Sequence, residues 1–104
     1  MRMTYPTAIV LHCVATGVRY GFDIIDASGL QAGTVYPILR RLEEERLLNS
    51  SWGRATVARA DGRPPRRNYQ ITATGRKALA AALERFPGVA HVLTPRGSNP
   101  SPAT

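Results

Sequence analysis

The sequence predicts a mainly α-helical domain with one small β-hairpin, and three observations predict it. Residues 31–46 place Val35, Ile38, Leu39 and Leu42 at i, i+3, i+4 and i+7, the apolar stripe of a half-buried helix. Two short alternating runs, Leu48–Trp52 and Arg67–Ile71, flank a segment containing Asp61-Gly62 and Pro64-Pro65, so they read as strands joined by a loop. Thr72 then caps a second stripe, Leu79, Leu83 and Phe86, in a last helix over residues 73–86. With 104 residues, 43% of them hydrophobic, the chain closes one modest core and has no room for a large substrate cleft as well.

Taken in order, the first element is a helix over residues 7–16, stopped by Gly17. Its apolar residues, Ile9 and Val10 among them, fall on every side, so the sequence predicts cover from two directions: its own core and a second subunit. Arg2 followed by the run Ala8–Ala15 has the look of a short signal segment. His12 interrupts that run, no convincing cleavage site follows, and the run is too short to span a bilayer. The expectation is a cytoplasmic protein with a buried first helix and no membrane partner. Cys13 reads as a packed small hydrophobe, with a redox sensor as the sharper alternative. His12 reads as locally satisfied, the alternative being a pH or ligand sensor.

A second, short helix covers Tyr20–Ser28, with Phe22, Ile24 and Ile25 as its apolar face and Gly29 as its stop. On the third helix, Gly33, Pro37, Arg40 and Glu44 face away from the stripe, flanked by Thr34, Tyr36 and Arg41. Pro37 lies near the start, which predicts local distortion and not a break. Ala55–Ala58 either lengthens the first strand or stays loose. Pro87-Gly88 end the last helix, so the domain is read as residues 1–87. Residues 88–104, with Pro95, Gly97, Ser98, Pro100, Ser101 and Pro102, are read as a flexible tail.

The net charge is +7, and of the 14 cations only Lys77 is not arginine. Guanidinium forks suit phosphate oxygens and guanine edges, which points to a polyanionic partner; codon bias is the bland alternative. A single cysteine excludes an internal disulfide and any zinc site needing several thiolates. Glu43-Glu44-Glu45 point apart on a helix and meet no histidine, so they read as solvent-facing charge and not as paired catalytic acids. No phosphate loop, nucleophile elbow or metal signature is present, and neither an enzyme nor a cofactor is expected.

Helix, short helix, long helix, two strands around a basic loop, then helix is the order of a winged helix-turn-helix. The third helix then offers Gln31, Thr34, Tyr36, Pro37, Arg40 and Arg41 to a DNA groove. The loop and its exit hold Arg54, Arg59, Arg63, Arg66 and Arg67 against a lone Asp61, a wing able to reach phosphates or a minor groove. The alternative is a solvated loop of charges.

Four segments together resemble the PadR family: Tyr20-Gly21-Phe22-Asp23-Ile24, the run from Gly33 through Glu45, Arg66-Arg67-Asn68-Tyr69-Gln70-Ile71-Thr72, and Gly75-Arg76. The resemblance runs from about Ala8 to Leu83. It implies a dimeric transcriptional repressor on double-stranded DNA, often released by a small-molecule effector. It also implies pairing through the first and last helices, with Ile9, Val10, Leu79, Leu83 and Phe86 as interface candidates, as in the short members of the family. Two departures stand out. Arg46 replaces the family's usual glycine, so it either takes a left-handed conformation at some cost or the turn is rebuilt. The segment between Trp52 and Pro64 is longer than usual, which predicts a tip disordered without DNA. Trp52 itself reads as covering the core edge, or else as a stacking surface for an aromatic effector. The competing function is a winged-helix protein-interaction module without specific operator binding.

Overall fold

The computed structural model describes residues 3–52 and 67–92. Thr4 opens α1 (Tyr5–Ala15): its side chain accepts the Thr7 N–H at 3.3 Å, and Pro6 occupies the first turn, where a missing N–H costs nothing. The helix therefore begins two residues earlier than the apolar run suggested. α2 (Gly21–Ser28) follows, then α3 (Ala32–Glu44), β1 (Leu48–Trp52), β2 (Arg67–Ile71), α4 (Ala73–Arg85) and α5 (Val89–Val92). Pro37 lies inside α3 without breaking it.

The core forms around α1. Ala8, Val10 and Leu11 of this helix pack with Ile24, Val35, Leu39, Leu42, Leu48 and Val89, all essentially without solvent contact. This corrects the expectation that a second subunit must cover Ile9 and Val10. They are 3% and 0% exposed within one chain, because α2, α3, β2, α4 and α5 all pack on α1. Leu79 is buried as well, whereas Leu83 and Phe86 are only partly covered.

The hairpin is antiparallel, with Leu48 opposite Ile71 and Trp52 opposite Arg67. Residues 19–20 line its open edge: the Tyr69 N–H donates to the Arg19 carbonyl at 2.8 Å, and Tyr20 bridges to Asn68. Ala55–Ala58 and the loop turns lie outside the described residues. The expected start of the tail also shifts. Val89 is fully buried against the core, so its side chain draws residues 89–92 back as a short helix.

α3 ends in a Schellman arrangement, with Leu47 N–H donating to the Leu42 carbonyl (2.9 Å) and Arg46 N–H to the Glu43 carbonyl (3.0 Å). This geometry puts Arg46 at φ 62°, the left-handed region, so the first of the two sequence alternatives holds. An L side chain there costs about 1–2 kcal/mol. Arg46→Gly is expected to raise stability by about 1 kcal/mol in urea unfolding, after allowing for the greater entropy of an unfolded glycine. An unchanged or lower midpoint would show that the arginine is not strained.

Candidate nucleic-acid interface

α3 divides cleanly into two faces. Val35, Ile38, Leu39 and Leu42 are buried, while Thr34, Tyr36, Pro37, Arg40 and Arg41 are exposed, as is Gln31 at the N-cap position. The i, i+3, i+4, i+7 spacing fixes this division, because those four residues occupy one side of a 3.6-residue turn. Arg40 and Arg41 have no acidic partner among the described residues. Among the expected wing residues, Arg67 is exposed on β2; Arg54, Arg59, Arg63 and Arg66 lie outside the described residues.

Arg67 is the junction between hairpin and helices. Its guanidinium lies 5.1 Å over the Trp52 ring and 3.7 Å from the Glu43 carboxylate. Glu43 also accepts a hydrogen bond from the Ser50 hydroxyl. That corrects the reading of Glu43 as a solvent-facing charge: it ties α3 to both strands, while Glu44 and Glu45 are exposed. Trp52 is 65% exposed, so it does not cover the core edge as expected but stands at the rim of the hairpin with Arg67 on its face.

Tyr36 seats its ring on the backbone of Gly21, where a Cβ would come within 2.5 Å of the ring. Beside it, Tyr20, Gly21, Phe22, Tyr36, Arg67 and Tyr69 line a mostly apolar cleft of about 150 Å³. Burial pushes the Tyr69 phenol above its ordinary range, partly opposed by the Arg67 cation. Phe22 was expected in the core and is instead 70% exposed. Residues two apart on a helix point in nearly opposite directions, so Phe22 and the fully buried Ile24 cannot share a face. That projection was the signal available in the sequence.

The other singled-out groups are structural. Cys13 is buried in the core and its thiol is pushed up to about 12 by burial, which leaves it protonated and unreactive. His12 is not satisfied as expected: its Nδ1 is buried without a hydrogen-bond partner, and desolvation lowers its pKa in favour of the neutral ring. Among the described residues no cluster of side chains can hold a metal ion, and no helix is long and apolar enough to cross a membrane.

Comparison with known proteins gives this geometry its context. None of the curated proteins matches the sequence. Solved structures do. A PadR family transcription regulator from Clostridium difficile is similar with a TM-score of 0.67 at 21% identity, covering 86% of this chain and 94% of that one. A transcriptional regulator from Clostridium thermocellum gives 0.67 at 24% identity, covering 85% of each chain. A PadR-like transcription factor from Bacteroides fragilis gives 0.61 at 26% identity, covering 83% and 82%. The sequence itself matches the transcriptional regulator PadR-like family over residues 10–81, from the middle of α1 into α4. The fold is thus the winged helix-turn-helix that the order of elements predicted, and the chain belongs to the PadR-like family of transcriptional regulators.

Proposed function

We propose that this regulator is a sequence-specific repressor that binds double-stranded DNA as a homodimer, with α3 in the major groove and the hairpin on the flanking backbone. One observation carries the reading. The exposed face of α3 holds Thr34, Tyr36, Arg40 and Arg41 together, with neither arginine neutralised by an acid among the described residues. An arginine fork on an exposed helix can take a guanine edge bidentately, and Thr34 or Tyr36 can meet a thymine methyl or a phosphate. The net charge of +7 adds a sequence-independent attraction to DNA. Such a protein would work in the cytoplasm, alongside the DNA it binds.

The pairing surface in this reading is the end of α1 with α4. Tyr5 is 40% exposed and meets Phe86 edge-on at 5.9 Å, and Leu83 lies nearby on α4, partly uncovered. Ile9, Val10 and Leu79 are buried within the chain and do not form that surface. Two-fold pairing would set the recognition helices about 34 Å apart, one turn of DNA.

A nuclease footprint on the DNA upstream of the protein's own gene, together with sedimentation at micromolar concentration, tests the reading. The expected result is a protected, roughly palindromic stretch holding two chains, and a dimer in solution. A monomer with one chain per site would contradict the dimer. The absence of any protected stretch would favour a protein-contact module.

A further inference from the structure

We infer that the cleft between α2, α3 and β2 seats one sugar–phosphate unit of the DNA backbone, with the deoxyribose on Phe22 and Tyr36 and the phosphate on Arg67. This rests on the DNA-binding reading above and adds to it a backbone clamp that joins Tyr36 of the recognition helix to α2 and β2. The first support is the placement of the exposed aromatics. The described residues contain four exposed large hydrophobic side chains, Tyr5, Phe22, Tyr36 and Trp52. Three of them gather around Arg67: Phe22 and Tyr36 share the cleft with it, and Trp52 lies beneath its guanidinium. Single exposed hydrophobic residues are ordinary, but three around one cation form an apolar surface with a charge at its centre.

The second support is preorganisation. Gly21 leaves the space into which the Tyr36 ring fits, so the ring is held against backbone before any ligand arrives. Little side-chain entropy is then lost on binding. Trp52 likewise holds Arg67 from one side, and Glu43 at 3.7 Å from the other. The third support is chemical fit. A purely apolar occupant would strip water from the half-exposed Arg67 guanidinium, whose contact with the Glu43 carboxylate is a long 3.7 Å, and a free phosphate would leave the rings in water. A deoxyribose with its phosphate meets both requirements. Tyr20, the N-cap of α2, makes no side-chain cap bond to the first turn of that helix. Asp23 in that turn and Glu43 beside Arg67 are the carboxylates of these elements, and they limit how closely the phosphate approaches. Finally, Tyr36 belongs both to the cleft and to the outward face of α3, so the two surfaces are continuous.

The test uses the full chain and a fluorescent duplex of random sequence, titrated across a salt series. Backbone binding without base reading predicts that Phe22→Ala weakens binding to random and footprinted DNA alike, by about tenfold, the worth of burying one aromatic face. Its salt slope should equal that of the wild type, since no charge is removed. Phe22→Tyr keeps the ring and should bind as the wild type does. Arg67→Gln should flatten the slope by about 0.9 for each phosphate that the guanidinium had neutralised. Phe22→Ala binding like the wild type, or weakening only the footprinted site, overturns the clamp, as does an unchanged slope for Arg67→Gln. A wild-type protein that binds no duplex overturns the DNA-binding reading itself.

Discussion

Gly75→Ala is expected to lower stability by about 3 kcal/mol and the melting temperature by roughly 10–20 °C. Inside a helix this exchange ordinarily gains about 1 kcal/mol, because glycine carries excess backbone entropy into the unfolded state. Gly75 is different because of what it touches. A Cβ there would overlap the Leu47 carbonyl oxygen and lie 2.8 Å from Cγ1 of Ile71. Neither can retreat easily. The Leu47 carbonyl accepts the Thr72 N–H at 3.0 Å, and Ile71 is paired with Leu48 in the hairpin. Thr72 locks the junction further, with its hydroxyl accepting the Gly75 N–H at 2.9 Å and lying 2.8 Å from the Arg46 carbonyl. The added methyl must therefore drive the start of α4 off the hairpin. Gly33, within α3, has nothing within 4 Å of its would-be Cβ, so Gly33→Ala is the control and should stabilise. Thermal unfolding of the two variants side by side checks the claim. A Gly75→Ala protein melting at or above the wild type would contradict the close approach.

Parts of this architecture were legible in the sequence for identifiable reasons. Both strands fall at Leu48–Trp52 and Arg67–Ile71 as the alternation predicted, because Leu48 and Tyr69 face the core while their neighbours do not. The α3 stripe was legible because four apolar residues at helical spacing have one way to be buried together. Gly17 and Gly29 marked helix ends, and both adopt positive φ there.

What was missed depends on tertiary packing. The all-round apolar character of α1 suggested a partner subunit, yet five elements of the same chain surround it. Val89 looked like part of a tail because Pro87-Gly88 precede it, and only the three-dimensional position of α1 gives its side chain somewhere to go. Glu43 could not be distinguished from Glu44 and Glu45 by composition. Its partners, Ser50 and Arg67, are brought to it by the hairpin. The six residues singled out for DNA, five on α3 and Gln31 at its N-cap, are all exposed, as the proposed contact with a groove requires.

The second large effect concerns Arg40. It stands on the outward side of α3, four residues after Tyr36 and therefore close to it on the same face, with no acid among the described residues to hold its guanidinium. A bidentate bond to guanine O6 and N7 gives about 1–3 kcal/mol of discrimination at one base pair. The proposed dimer would make that bond once in each half-site, so Arg40→Ala should forfeit the amount twice, one hundredfold or more in preference, on the order of 3 kcal/mol. Stability should hardly change, because the side chain is exposed and has no acidic partner among the described residues.

Sequence reading by α3 is the central claim, and one titration tests it most directly. Wild type and Arg40→Ala are each titrated against the footprinted promoter site and against a random duplex, at one fixed salt concentration. The account predicts that the variant's affinity for the promoter site falls towards its affinity for random DNA, while binding to random DNA changes little. Equal weakening on both duplexes would contradict it, since Arg40 would then touch only phosphate and α3 would not be reading sequence through this residue.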